Sequence, residues 1–202
     1  MDIVLNWEGP VGAGLFPLDD PDALEALANP GVYLRVKSYE GARRVAYVGQ
    51  SVNLIKRFDE HLRATLAFER TLRNSAGEPV LERGGPARLA AYNDLAKAAA
   101  LSRDEALRTR FYYARCEEDL FPREHLNLVE TLLVERLAQH VGGAAANLEN
   151  RISPPAPDEL PAIEVFSEFN ALPDEGHGLL EELLGCDPMV VGEQALVDIG
   201  NG

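Results

Sequence analysis

The chain has 202 residues, 46% of them apolar, and a formal net charge of −14. That length can bury one substantial core, and no apolar run approaches the roughly eighteen residues of a membrane-spanning helix. The start, Met1-Asp2-Ile3-Val4-Leu5, lacks the basic segment and long apolar stretch of a secretory leader, so a cytoplasmic protein is expected. Cys116 and Cys186 stand 70 residues apart with no C-x-x-C spacing, which argues against a zinc ribbon or dithiol site and for small core thiols.

The charge is unevenly spread. Residues 1–30 carry −6, residues 31–111 carry +6, residues 112–153 carry −3 and residues 154–202 carry −11. A basic middle between acidic ends leaves one part of the surface able to meet phosphates.

In chain order, Ile3-Val4-Leu5 is a short apolar run followed by a Gly/Pro-rich loop. Asp20-Pro21-Asp22 combines an N-cap acid with Pro at the first helical position and predicts a short helix through Ala28. Residues 31–49 read as a β-hairpin: Val32, Leu34 and Val36 alternate with Tyr33, Arg35 and Lys37, the pattern of a half-buried strand. Gly41 lies in the turn and Arg44–Val48 returns. From Asn53 the period becomes helical, with Leu54, Ile55, Phe58, Leu62 and Leu66 as the apolar stripe and Arg57 and His61 beside it.

Residues 74–86 read as loop and 88–100 as helix. Ser102-Arg103-Asp104-Glu105 has capping-box spacing and predicts a new short helix. Arg110–Cys116 is aromatic and strand-like. Pro122 opens a helix to about Val141 with Leu126, Val129, Leu133 and Leu137 as its stripe, ended by Gly142-Gly143. Pro154–Pro157 is a stiff linker candidate. A strand over Ile163–Phe169 and a helix over Leu179–Leu184 follow.

The chemistry concentrates in Gly31-Val32-Tyr33 and Tyr47-Val48-Gly49, with Arg57 ten residues after Tyr47 and His61 four residues later. Arg57 and His61 share a helix face. Two tyrosines from a hairpin with an Arg and a His from the next helix could converge on an anion, since Arg offers a permanent cationic fork and Tyr and His can donate or relay a proton.

These segments, GVY and YVG followed by NLIKRFDEH, resemble the GIY-YIG nuclease family. The resemblance continues with Glu130 inside NLVETLL on a later helix, and with an Asn beyond it. Asn147 is the best match and Asn150 a close second. It covers about residues 30–152 and implies phosphodiester hydrolysis with one magnesium or manganese ion per active site. Glu130 would be the only protein carboxylate on that metal. Tyr33 would be the leading candidate to activate water, and Tyr47 and Arg57 would hold the scissile phosphate. His61 would assist proton transfer or hydrogen-bond Tyr33 or the phosphate. Asn147 would brace the site. Lys37, Arg43, Arg44, Lys56 and Arg63, with Arg70 and Arg73, are candidates to track a nucleic-acid backbone.

Other candidates read as ordinary surface or packing. Glu117-Glu118-Asp119 is a solvated acidic turn, Glu135 faces away from Glu130, His125, His140 and His177 lack partners at ligand spacing, and Trp7 is a packing anchor.

The expected architecture is α/β of the α+β type. A small, mainly antiparallel three-stranded sheet is flanked by helices in a domain over 30–153, with acidic extensions at 1–29 and 154–202. The expected function is a metal-dependent DNA endonuclease, leaning toward a restriction-type or mobile-element enzyme, with RNA open as a substrate. Cutting both strands with one site per chain requires a homodimer or sequential nicking. The alternative is a catalytically silent nucleic-acid-binding or regulatory module, its acidic C-terminal segment serving as autoinhibitor or docking a protein partner.

Overall fold

The structure, a computed structural model, describes residues 1–140, 149 and 163–191. It is a mixed α/β fold built on a six-stranded sheet in the order β3-β2-β6-β1-β7-β8. The strands are β1 (Asp2–Val11), β2 (Gly31–Ser38), β3 (Arg44–Ser51), β6 (Thr109–Arg115), β7 (Ile163–Glu168) and β8 (Met189–Val191). All pairings are antiparallel except β1 with β7. A separate hairpin joins β4 (Leu72–Arg73) to β5 (Pro79–Leu81), and β5 lies inside the stretch 74–86 expected as loop.

The sheet is therefore twice the expected width. The three expected strands form one half, and the two chain ends supply the other. β1 is inserted between β6 and β7, and its Ile3, Leu5 and Trp7 are fully buried. Trp7 also donates its indole N–H to Ser167 Oγ at 3.2 Å, so it is an anchor as expected.

The helices are α1 (Pro21–Leu27), α2 (Leu54–Leu66), α3 (Gly85–Ala91), α4 (Leu95–Arg108), α5 (Leu126–His140) and α6 (Asp174–Leu184). Asp20 caps α1 by accepting from the N–H groups of Asp22 and Ala23, as the sequence predicts. Asn53 caps α2 by accepting from Lys56 N–H at 2.9 Å. The buried face of α2 is Leu54, Phe58, His61 and Thr65, so His61 lies within the buried stripe while Leu66 is exposed. The expected helix start at Ser102 is not one. Ser102 is inside α4, buried, with its hydroxyl donating to Thr65 O at 2.9 Å.

Two cores sandwich the sheet. Val32, Leu34, Val36 and Val48 meet the α5 stripe Leu126, Val129, Leu133 and Leu137, together with Leu180 and Leu183 of α6. On the opposite face Tyr33, Phe111 and Tyr113 pack against Leu54 and Phe58 of α2. The alternation in β2 is thus real, but neither face is solvated: every residue from Gly31 to Lys37 is buried. Cys116 is half-buried and Cys186 exposed, so Cys186 is not the core thiol expected.

Candidate active site

The register of the hairpin sets the site. Tyr33 pairs with Gly49 on β3 and with Tyr113 on β6, while Arg35 pairs with Tyr47 and Phe111. Residues two apart on a strand share a face, so Tyr33, Arg35 and Lys37 all project toward α2 and α4. The two glycines of the GVY and YVG segments have steric causes. A Cβ on Gly49 would lie 2.3 Å from Tyr33 Oη, and one on Gly31 would lie 2.3 Å from Ala114 O. Gly49 is the floor on which the Tyr33 ring rests. Stacking on Phe111, with ring centroids 4.7 Å apart, holds it from the side.

His61 and Arg57 reach this ring from α2. Tyr33 Oη lies 2.7 Å from His61 Nε2 and 3.1 Å from Arg57 Nε. The other imidazole nitrogen, Nδ1, is faced by Arg35 Nη1 at 3.2 Å and Arg70 Nη2 at 3.3 Å. A guanidinium only donates, so Nδ1 is the acceptor. Burial, reinforced by the charges of Arg35, Arg70, Arg57 and Lys37, pushes the imidazole pKa from 6.5 down to about 2. The ring is therefore neutral, carries its proton on Nε2 and donates it to Tyr33.

Tyr33 Oη thus accepts two hydrogen bonds, from His61 and Arg57, and its own O–H remains to be donated. Burial, and then the neighbouring Tyr47, push this phenol above the usual tyrosine range against the opposing pull of Arg57 and Arg35. Tyr33 is a neutral phenol at physiological pH. Arg57 stays charged, because hydrogen bonds to Glu60 and Tyr33 outweigh its desolvation, and its Nη1 donates to Glu60 Oε2 at 2.9 Å.

Tyr47 closes one side, with its ring centroid 5.4 Å from that of His61 and 6.1 Å from that of Tyr33. The Arg35 guanidinium lies 5.1 Å over the Tyr47 ring. Glu130 comes from α5, on the opposite face of the sheet, and its carboxylate accepts from the backbone N–H of Gln50 on edge strand β3. Burial raises its carboxyl above the usual range, while the Arg57 charge and the backbone N–H of Gln50 pull the other way. Among the described residues no ion pair occupies Glu130. A half-buried carboxylate with no ion-pair partner among the described residues is a hard oxygen donor that fits a magnesium-type ion keeping most of its waters.

Four of the six expected site residues, Tyr33, Tyr47, Arg57 and His61, are brought together, and Glu130 is near enough to feel the charge of Arg57. Asn147, and its rival Asn150, lie outside the described residues. The expected nucleic-acid contacts do not form one set. Lys37 is 1% exposed and paired with Glu105 at 2.7 Å and Glu149 at 3.2 Å, so while those pairs stand it is not among the surface cations a backbone would meet. Arg43 is half-buried, and Arg44 pairs with Glu182 of α6. Lys56 and Arg63 are exposed on α2, with Arg63 paired to Asp59 at 2.7 Å.

Sequence reasoning missed Arg35 and Glu149. Arg35 Nη2 donates to Glu149 Oε2 while Nη1 holds His61. The available signal was that Arg35 stands two residues after Tyr33 and therefore on its face.

Comparison of the chain with protein-family models, with curated proteins and with solved structures finds no match.

Proposed function

We propose that this chain is a metal-dependent DNA endonuclease of GIY-YIG type. The observation that carries the reading is the seating of Tyr33 Oη between His61 Nε2 and Arg57 Nε. Three elements, β2, α2 and the distant α5, carry groups for one reaction: a phenol with an O–H to donate, a cationic fork for a phosphate, and a carboxylate for a divalent ion.

Arg57, fully charged, would hold the scissile phosphate and offset the negative charge that grows on it. Tyr33 would donate its O–H to a phosphate oxygen or orient the attacking water, with His61 fixing the direction of that proton. Magnesium or manganese on Glu130 would supply Lewis-acid stabilisation of the phosphate and leaving oxygen. Tyr47 would wall the site and donate to the same phosphate.

The test is plasmid cleavage with magnesium or manganese, comparing wild type with Glu130→Ala and Tyr33→Phe. Metal-dependent cutting lost in both variants is the expected result. A wild type that leaves DNA and RNA intact overturns the reading.

A second reading, a nucleic-acid-binding module without catalysis, is favoured by the complete burial of Tyr33 and by a phenol that keeps its proton. Under it, wild type retains DNA on a gel without cutting. A restriction-type or mobile-element role is part of the proposal and is approached by mapping the cut ends.

A further inference from the structure

Behind His61, on the side away from Tyr33, cations gather. Arg35 and Lys37 come from β2, Arg70 follows α2, and Arg73 lies on β4. Arg35, Lys37 and Arg73 are at least nine-tenths buried. Arg35 and Arg70 meet on a single atom, His61 Nδ1, although like charges repel. Two described carboxylates face the group, and they differ. Glu105 of α4 is fully buried and committed: it takes Lys37 at 2.7 Å, the Tyr39 hydroxyl at 2.8 Å and Arg108 at 3.7 Å. Glu149 is 20% exposed, held at the outer edge of β3 by its N–H to Ala46 O at 2.8 Å, and inserts its carboxylate between Arg35 and Lys37.

That carboxylate does not exhaust the donors around it. The Nε groups of Arg35, Arg70 and Arg73 are buried with no hydrogen-bond partner among the described residues. Unmet buried donors are costly, and three from neighbouring guanidinium groups point to an acceptor with more oxygens and more charge than one carboxylate. A phosphate group has both.

We propose that Arg35, Lys37, Arg70 and Arg73 form an anion pocket for a phosphate group, and that Glu149 fills it as an internal stand-in. The phosphate comes either from a free or terminal phosphate or from a phosphodiester in a nucleic-acid backbone. Glu149 is partly exposed where Arg35 and Lys37 are buried, so its side chain must swing out for the ligand to take its place. The pocket does not depend on the nuclease reading: it can bind phosphate in a chain that cuts nothing.

The experiment compares wild type, Glu149→Gln and Glu149→Gln/Arg35→Gln by calorimetry and thermal melting at constant ionic strength. One arm uses inorganic phosphate and the other an unphosphorylated dinucleotide. Glu149→Gln keeps the shape and removes the competing charge, so it binds about tenfold or more tightly than wild type, and the double variant loses the gain. A gain with inorganic phosphate identifies a free or terminal phosphate; a gain with the dinucleotide identifies the backbone. Should Glu149→Gln melt early, rescue of its melting temperature by phosphate supports the pocket. Unchanged affinity in both arms, or a variant that phosphate fails to restore, makes Glu149 a structural pin and overturns the proposal.

Discussion

His61 Nε2 and Tyr33 Oη lie 2.7 Å apart with the proton on the imidazole, because two guanidinium donors hold the other ring nitrogen. His61 is thereby a donor that positions Tyr33 and cannot take its proton. Nitrogen-15 NMR of the folded protein should show a neutral His61 as the Nε2–H tautomer with no titration between pH 5 and 8. The linkage has a definite sign. Between about 6.5 and about 2 the unfolded imidazole binds a proton that the folded ring does not, so stability attributable to His61 is present above pH 6.5 and lost as pH falls. The limiting slope is about 1.4 kcal/mol per pH unit. Denaturation from pH 7 to 4 should be steeper for wild type than for His61→Gln. Equal slopes, or an Nδ1–H tautomer, would refute the assignment.

The glycine positions predict a graded series. Gly49→Ala drives a methyl into the Tyr33 ring, which stacking on Phe111 prevents from retreating. It should cost about 2 kcal/mol, in the usual range for overpacking. Gly31→Ala meets the Ala114 carbonyl, a backbone atom of the neighbouring strand, and should cost more. Gly178→Ala, in α6 with open space around the new methyl, should stabilise by about 0.5–1 kcal/mol. Urea denaturation of the three variants checks the order, and a harmless Gly31→Ala would break the argument.

The hairpin and α2 were legible because local period, and the Asn53 cap of α2, agree with the tertiary structure. The stripe of α5 was legible too, but the helix begins at Leu126 after a 3-10 turn over Arg123–His125, not at Pro122. Its expected end at Gly142-Gly143 lies outside the described residues. β1 was missed although Ile3, Leu5 and Trp7 alternate, because Gly9-Pro10 reads as a loop yet lies within the strand. Ser102 misled because its hydroxyl serves a contact to Thr65, 37 residues away, and not a helix start. The polar face of β2 looked solvated because Arg35 and Lys37 are charged. What covers it, Glu105 and Glu149, lies 66 or more residues downstream, beyond any local pattern. The core of the candidate site was legible as residue types in order; the arginine shell behind His61 was not.

That shell gives a prediction about stability. Lys37 and Glu105 are both buried, with Nζ and Oε2 2.7 Å apart. Removing one partner leaves the other buried with only its remaining contacts, Glu149 for Lys37 and Tyr39 with Arg108 for Glu105. Lys37→Met or Glu105→Leu should therefore each cost about 3 kcal/mol, the low end for a broken buried pair. The double variant should cost clearly less than their sum, with a coupling of at least about 1 kcal/mol. A double-mutant cycle by urea denaturation measures this, and additive costs would mean that the two charges are independently solvated.

Glu130 should behave in the opposite way. Burial raises its carboxyl pKa above the ordinary range, so the folded state holds the carboxylate less comfortably than the unfolded chain does. The sign follows: Glu130 weakens the fold at pH 7, and that penalty fades as pH falls and the carboxyl protonates. Glu130→Gln should therefore melt at or above the wild-type temperature while losing metal-dependent cleavage. Magnesium should raise the wild-type melting temperature through binding to the native state and leave Glu130→Gln unmoved. An ordinary structural glutamate would do the reverse, losing stability on substitution and leaving the magnesium shift intact. Thermal melts of both proteins with and without magnesium separate the two before any nuclease assay is run.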